Sequence, residues 1–376
     1  MTALNRHRPA VAFILVTAAL DVMAMGLVIP VLPILIEEFA GSISSAGWWN
    51  GVMVALWALM QFVFSPIIGS LSDRFGRRPV ILISIFGLAV DWVLMALAPN
   101  LWWLAAGRII GGITSSSFTA VYAYLADIIP PEGRAKAYGL VGAAFSAGFI
   151  AGPALGGVLG EWGPRTPFWV AAALSGIAFL YGLFVLPESL PKERRMAFAW
   201  SRANPLGAVR LLRRHAELTG LAWVYFLLYF AHHVFSAVFV LYAAHRYGFG
   251  PLETGLLLAF AGLLEMLVQI FLVGRVSGWL FVAALVPNAL WSLALPTIQS
   301  LMTRLVSERE QGQLQGANNS VASVAGVISP LFFGAVYGVS VGFAPGLVFV
   351  IAAVVLLGGA AIGHFAGKAG PPALPS

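Results

Sequence analysis

The sequence is dominated by apolar runs that are long enough to cross a lipid bilayer. Eleven such runs follow one another along the chain, and a membrane helix needs about 20 apolar residues. The composition agrees, because 60% of the residues are hydrophobic and the mean hydropathy is +0.90, which is unlike a soluble domain. Backbone polar groups in lipid must be satisfied within the structure, so runs of this kind form helices. The sequence therefore predicts an all-α, polytopic membrane protein.

The predicted spans divide into two groups around a long basic stretch. They are 10–36, 47–68, 79–98, 101–126, 138–160, 167–186, 219–244, 252–274, 279–302, 315–338 and 343–366. We expect an N-terminal six-helix bundle at 1–186, a cytoplasmic central loop at 187–218, and an incomplete C-terminal bundle of about five spans at 219–376.

The distribution of Lys and Arg predicts the orientation of the spans. Short cytoplasmic loops collect basic residues. Here the N-terminus and the loops after the second, fourth and sixth spans are basic, whereas the loops after the first and third spans are not. We therefore expect a cytoplasmic N-terminus. The basic residues before and within the first half are Arg6, Arg8, Arg74, Arg77, Arg78, Arg134 and Lys136.

The stretch 69–78 holds the densest charge in the chain. We expect a cytoplasmic loop whose glycines permit tight turns and whose carboxylate pairs with a nearby arginine. The simpler alternative is a basic anchoring loop. With Asp127 at the end of the fourth span, this stretch predicts a cytoplasmic gate composed of Gly69, Asp73, Arg74, Gly76, Arg77, Arg78 and Asp127.

Three charged residues lie deep within predicted spans. A charge at the centre of a bilayer costs about 2.5–3.5 kcal/mol on insertion scales, so these side chains should face the bundle interior. Asp21 and Asp91 are candidates to pair with Arg108. We expect the three to form a proton-coupling core, with structurally satisfied buried carboxylates as the alternative.

The polar residues of the second and eighth spans are candidates for a substrate pathway. Glu265 and Gln269 are four residues apart and share one helix face. Gln61 is a weaker candidate of the same kind. His232 and His233 could titrate near neutral pH, but adjacent helical residues point about 100° apart, so a shared metal site is not expected.

The fifth span is rich in glycine at regular spacing. Gly148, Gly152 and Gly156 predict a small-residue ridge for close helix packing, and Pro153 predicts a bend. The same span also contains Gly139 and Gly157.

The two halves repeat weakly, and the repeat exposes a deficit. Fourteen residues separate Gly139 from Pro153 and also Gly316 from Pro330. However, the interval from Gly274 to Trp279 is 28 residues shorter than its counterpart in the first half. About one span is therefore missing, and we expect a cleft where it would pack. Either segment 279–302 inverts the rest of the chain and places the C-terminus outside, or a neighbouring segment fails to span.

Several motifs together resemble the major facilitator superfamily. The stretch 69–78 resembles its loop signature between helices 2 and 3, and the fifth-span spacing resembles the signature of its drug/proton antiporters. Arg108 followed by Gly111 and Gly112, and the run 26–33, resemble two further motifs. The closest resemblance is to the tetracycline-efflux branch, carried by Ser72–Pro79, Asp91, Ala126–Asp127, Pro187–Leu190 and Gln313–Gly316.

This resemblance implies a proton-driven exporter of an amphipathic drug-like molecule in the bacterial inner membrane. It implies a two-bundle fold, protons and a small molecule as partners, and a monomer. Two departures concern the missing ninth helix and Glu265, which stands where the branch commonly has a histidine. A metabolite or sugar permease and a degenerate, non-transporting chain are the alternatives.

Other classes of protein are not indicated. The chain has no Cys, so neither disulfides nor a thiolate metal site is expected. No phosphate-binding Gly-x4-Gly-Lys-Ser/Thr motif occurs. The net charge of +6 lies mainly in loops and does not indicate nucleic-acid binding. We expect no enzyme activity, cofactor or metal.

Overall fold

The computed structural model describes residues 8–115, 118–196, 216–271, 298, 302 and 311–368. Regular structure in these residues is helical. The α-helices are α1 (Arg8–Val28), α2 (Leu32–Ala40), α3 (Ile43–Phe75), α4 (Arg77–Ala96), α5 (Leu101–Thr114), α6 (Phe118–Ile128), α7 (Pro131–Gly160), α8 (Thr166–Val185), α9 (Ala216–Val234), α10 (Val240–Tyr247), α11 (Pro251–Phe271), α12 (Gln311–Ser340) and α13 (Leu347–Lys368). A 3₁₀ turn occupies Lys192–Arg194, and a π-helical turn, Phe235–Phe239, joins α9 to α10.

Within the described residues, these helices form ten segments, eight before residue 272 and two after residue 310. Three of the segments are composite: α1 with α2, α5 with α6, and α9 with the π-helical turn and α10. Seven segments contain a helix that is long and apolar enough to cross a membrane. The predicted all-α, polytopic fold class is confirmed. The ninth predicted span, 279–302, lies outside the described residues except for Ile298 and Met302.

The first span is broken by its prolines. A proline inside a helix removes a backbone hydrogen bond and clashes with the preceding turn. α1 accordingly ends before Pro30, and α2 begins again at Leu32 with Pro33 in its first turn, where a missing N–H costs nothing. Gly41, with φ of 72°, ends α2 in the left-handed conformation.

The expectation of a loop at 69–78 is wrong. α3 continues to Phe75 and α4 begins at Arg77, so only Gly76 lies outside a helix. Gly76 has φ of 105°, a value that glycine adopts without steric cost. A side chain at this position would also collide with the carboxylate of Glu188. The charged residues thus lie on helix ends, which fixes their directions more tightly than a loop would.

In the part of the chain that the structure describes, the hydrophobic core joins the two bundles at one end of the molecule. We call the first bundle α1–α8 and the second bundle α9–α13; the Gly41 end and the Arg77 end are named after the residues found there. One buried cluster at the Gly41 end combines residues of both bundles, such as Leu35 and Phe168 with Leu241 and Phe333. Among the described residues, the Arg77 end has two separate clusters, one in each bundle.

Equivalent prolines of the two halves make equivalent contacts across the bundle seam. The carbonyl oxygen of Pro153 in α7 lies against Gly255 of α11, and that of Pro330 in α12 lies against Gly51 of α3. A Cβ atom at either glycine would overlap the carbonyl. The pseudo-repeat inferred from spacing is therefore present in the packing.

The directions of the helices on either side of 272–310 bear on the span that the spacing predicts to be absent. α11 starts beside the end of α7, at the Gly41 end, and runs away from it past Ile150. α12 runs towards the Gly41 end, where Gly338 contacts Ser44. The end of α11 and the start of α12 therefore both lie at the Arg77 end. The alternative in which one crossing between them inverts the chain is wrong, and α13 returns to the same end as the start of α1.

Candidate functional site

Asp91 and Arg108 meet inside the first bundle, on α4 and α5. Asp91 is fully buried, and its Oδ2 lies 4.0 Å from Nη2 of Arg108. Gly107 and Gly111 are packed directly on the carboxylate, and a Cβ atom at position 111 would lie 2.5 Å from Oδ2. The two glycines, one helical turn apart, therefore make room for the acid. The guanidinium also lies over the ring of Trp92, 5.5 Å from its centre.

The Asp91–Arg108 pair is a charge contact without a hydrogen bond. Both carboxylate oxygens of Asp91 and the Nε and Nη2 atoms of Arg108 are buried without a hydrogen-bond partner among the described residues. Buried polar groups are nearly always hydrogen-bonded, so a buried charge pair without hydrogen bonds departs from the usual rule. A pair held this loosely can separate without breaking a network.

Asp21 makes no ion pair with Arg108 in the described structure. It is 7% exposed on α1, and its Oδ1 has no hydrogen-bond partner in the described structure. Its carboxylate borders two small cavities, one lined by Ser84, Thr114 and Ser115, the other by Thr17. The structure brings Asp91 and Arg108 together, whereas Asp21 has no ion-pair partner among the described residues. The proton-coupling role of the three residues stays a prediction.

Arg77 is the centre of an ion-pair network at the Arg77 end. Its Nη1 lies 2.6 Å from Oδ1 of Asp73, one turn earlier in the chain, and its Nε lies 3.2 Å from Oδ2 of Asp127 on α6. Nη1 also donates a 2.6 Å hydrogen bond to Oγ of Ser72. The side chain is only 9% exposed. Three helices, α3, α4 and α6, are thereby joined through one guanidinium.

Residues of the chain after α8 complete this network. They were not among the gate residues predicted from the sequence. Oε1 of Glu188 accepts a 2.9 Å hydrogen bond from the backbone N–H of Arg77, at the start of α4, where a negative charge is stabilised by the helix dipole. Ser189 donates to Asp127, and Arg195 lies 3.7 Å from Glu188. The sequence analysis included 187–190 among the family-like motifs. It did not predict their contact with α4, because the two segments are far apart along the chain.

The remaining predicted gate residues differ in their surroundings. Arg78 donates from Nη2 to the carbonyl oxygen of Leu183 on α8, at 2.7 Å. Arg74 is exposed and stacks on the neighbouring Phe75 at 5.0 Å. The carbonyl of Gly69 accepts from Ser72. All of these contacts lie within the first bundle and the chain that follows it.

The glycines of α7 lie on two faces of the helix. The predicted ridge of Gly148, Gly152 and Gly156 packs on α1: a Cβ atom at Gly152 would lie 2.7 Å from Cα of Gly26. Gly157 faces the other way, where a Cβ atom would lie 2.6 Å from the carbonyl oxygen of Pro251 on α11. α7 therefore packs closely on its own bundle and on the opposite one. Gly139 lies near the start of α7.

The predicted pathway residues are only partly described. Gln61 is half-buried on α3. Glu265 and Gln269 lie in α11, but their side chains fall outside the described part of the structure. Within that part, no three His, Asp or Glu residues are grouped in a way that could hold a metal ion.

An asparagine that sequence reasoning missed joins the bundles at the Gly41 end. Asn50 of α3 is 2% exposed, and its Nδ2 donates to the carbonyl oxygens of Ala237 at 2.6 Å and Ser236 at 3.3 Å. Both carbonyls belong to the π-helical turn. A π-helical turn interrupts the regular helical hydrogen-bond pattern. Its carbonyl oxygens can therefore accept hydrogen bonds from a residue of the opposite bundle. An asparagine within an apolar span was the only signal for this role.

Comparisons with known proteins agree with this architecture. The family model described as Major Facilitator Superfamily matches residues 14–279. The class C tetracycline resistance protein of Escherichia coli is 35% identical, over 93% of this chain and 94% of that protein. Multidrug resistance protein 2 of Bacillus subtilis is 26% identical, over 90% and 91%.

Solved structures show the same fold. A bacterial homologue of the human lysosomal transporter Spinster, described as inward-facing and unoccupied, has a TM-score of 0.73 with 15% identity and 96% coverage of both chains. The human organic anion transporter MFSD10 has a TM-score of 0.67 with 24% identity, covering 95% of this chain and 99% of its own. The chain belongs to the Major Facilitator Superfamily and is an integral membrane transporter of small molecules rather than an enzyme.

Proposed function

We propose that this transporter exports an amphipathic, drug-like molecule of the tetracycline type in exchange for protons. The similarity to proteins named for tetracycline resistance, at 30–35% identity over most of the chain, supports the substrate class. α7 contributes further support, because its glycines pack closely on both bundles. The alternative of a metabolite or sugar permease gains no support from any described contact.

The observation that carries the proposal is the Asp91–Arg108 pair. The two charged groups are buried, 4.0 Å apart and without hydrogen bonds in the described structure. Protonation of Asp91 would remove its negative charge and release Arg108 from this ionic contact. A change of this kind can shift a two-state equilibrium between conformations. Asp21 supplies a second buried carboxyl group, which borders two small cavities of mixed apolar and hydroxyl lining.

The arrangement of the cores suggests which conformation is present. We assign the Arg77 end to the cytoplasm because basic residues collect there, together with the N-terminus. The bundles are then joined on the outer side, by one shared core and by Asn50. An exporter must accept its substrate from the cytoplasm. A conformation that is closed on the outer side is consistent with that step of the transport cycle. Rocking of the bundles about the glycine contacts would expose the site outwards.

The Arg77 network is proposed to set the balance between these states. It links α3 and α4 to α6 and to the chain leading to the second bundle. Movement of that chain would act on Glu188 and, through the helix start, on Arg77. We further propose that the protein works as a monomer in the bacterial inner membrane.

The experiment uses inside-out membrane vesicles that contain the wild-type protein. An acidic interior should drive tetracycline accumulation, and a protonophore should abolish it. Vesicles with the Asp91→Asn variant, matched for protein amount, should show no accumulation above the background. Accumulation that survives the protonophore would contradict proton coupling. If tetracycline does not accumulate in wild-type vesicles, the proposed substrate class is wrong.

A further inference from the structure

His233 of α9 lies at the seam between the bundles, at mid-depth. Gly326, half-way along α12, lies next to both His233 and Ala58. A Cβ atom at Gly326 would lie 3.4 Å from Nε2 of His233 and 3.4 Å from Cβ of Ala58. Ala58 is itself half-way along α3. Helices of both bundles therefore meet at the tip of this histidine. Substrate sites of transporters built from repeats lie near the midplane at the repeat interface.

The hydrogen bonds of His233 determine what its free nitrogen can do. Nδ1 lies 2.6 Å from the carbonyl oxygen of Tyr229. A carbonyl only accepts, so Nδ1 carries the hydrogen and donates it. In the neutral ring, Nε2 is then an acceptor. No hydrogen-bond partner of Nε2 occurs among the described residues, and the half-buried side chain leaves this acceptor at the seam.

Aromatic rings continue from His233 along the same face of α9. Tyr225, Tyr229 and His233 follow at intervals of four residues, which places them on one face. The ring centres are 4.9 Å apart between the two tyrosines and 6.3 Å apart between Tyr229 and His233. The rings are inclined by 49° and 36°. Tyr225 is 2% exposed, within the core of the second bundle, so the ring nearest the seam on this face is that of Tyr229, next to the acceptor nitrogen of His233.

We propose that His233 is a specificity-determining residue that binds planar aromatic substrates carrying an O–H or N–H donor. The donor would hydrogen-bond to Nε2, while the substrate ring packs beside Tyr229. This inference rests on the proposed export function and names the recognition chemistry within it. Gln61 lies one turn from Ala58 on the same face of α3 and provides a second polar group on the opposite wall.

His232 is the natural control. It is the adjacent residue of the same helix, and its ring lies 6.1 Å from that of Phe235. Because neighbouring residues point about 100° apart, the two histidines cannot contact the same ligand group. Substitution by Phe keeps the ring and removes the ring nitrogens in both cases. A general effect of losing a polar group from α9 would therefore appear in both variants.

The test measures binding of tetracycline and of a planar aromatic cation without O–H or N–H donors. Purified wild-type protein in lipid nanodiscs is compared with the His233→Phe and His232→Phe variants. For His233→Phe, we expect tetracycline to bind about tenfold more weakly, which corresponds to about 1.4 kcal/mol. The donor-free cation should bind equally well to this variant, and His232→Phe should match the wild type for both ligands.

Two results would overturn the inference: unchanged tetracycline binding by His233→Phe, or an equal loss in both variants. If His233→Phe does not fold, His233→Gln keeps an acceptor oxygen and should retain tetracycline binding, whereas His233→Leu should lose it. Wild-type export of tetracycline is measured separately in vesicles. Normal export with unchanged binding by His233→Phe refutes this inference alone, whereas absence of wild-type export refutes the proposed function.

Discussion

At the scale of single residues, the location of a charged residue within an apolar span predicted that its side chain is buried. It did not predict which residues that side chain contacts. Asp21, Asp91 and Arg108 are all buried, as apolar surroundings in the sequence indicated. The sequence could not show that Gly107 and Gly111 lie against Asp91. It also could not show that Glu188, 111 residues from Arg77, caps the start of α4. Such contacts depend on how distant helices pack, and charge patterns do not encode that.

Asp21→Asn should abolish proton-coupled export while the protein remains inserted and folded. The amide has almost the same shape as the carboxyl group but cannot release a proton, and the small cavities beside it accommodate either group. The measurement is initial export rate across an imposed pH gradient, with Ser175→Ala as the control for loss of a buried polar atom at another site. Full export by Asp21→Asn would exclude a coupling role.

Arg77→Ala should impair the protein far more than Arg74→Ala. Loss of Arg77 leaves Asp73 and Asp127 without their ionic partner and should cost about 1–3 kcal/mol of stability. Arg74 is exposed, and substitutions at such sites usually change stability by less than about 0.5 kcal/mol. Thermal unfolding and export rate are measured together for both variants. Equal losses of stability and export rate in the two variants would contradict a gating role for Arg77.

At the scale of helices, α7 shows how much a spacing pattern can predict. The ridge of Gly148, Gly152 and Gly156 was predicted from the sequence and does pack closely, on α1. Its partner helix was not predictable, because many helices could accept such a ridge. The π-helical turn at Phe235–Phe239 was missed, since no residue type there signals it. The break of the first span was signalled by Pro30 and Pro33.

Gly156→Leu should disrupt transport, whereas Gly142→Leu in the same helix should not. A side chain at position 156 collides with the backbone of Leu27, while no atom of the described structure lies within 4 Å of a Cβ atom at position 142. Overpacking typically costs about 1–3 kcal/mol. The amount of folded protein and the export rate are compared for the two variants. A fully active Gly156→Leu protein would contradict close packing of α7 on α1.

At the scale of the whole molecule, the two bundles share a core at the Gly41 end and have separate cores at the Arg77 end within the described residues. Hydropathy predicted the spans, and loop charges predicted a cytoplasmic N-terminus. Hydropathy could not predict which ends of the bundles touch, because lipid-facing and seam-facing surfaces are equally apolar. The deficit before Trp279 was visible from spacing, and the directions of α11 and α12 excluded inversion.

Asn50→Ala should loosen the seam at the Gly41 end. Interhelical hydrogen bonds in membranes contribute about 0.6 kcal/mol each, so losing both bonds should shift the balance between states by about eightfold. The chain has no Cys, so Ser340→Cys, buried at the end of α12, provides a unique reporter. Its labelling by a membrane-impermeant thiol reagent should become faster in Asn50→Ala and not in Ser146→Ala.

The central claim, exchange of substrate for protons, is tested most directly by letting a substrate gradient supply the driving force. Proteoliposomes with the purified protein receive an outward tetracycline gradient and no initial pH gradient, and the internal pH is recorded. The account predicts that substrate efflux drives protons inwards, so that the lumen acidifies with the wild-type protein and not with Asp91→Asn. Tetracycline efflux through the wild-type protein without any change in internal pH would contradict it.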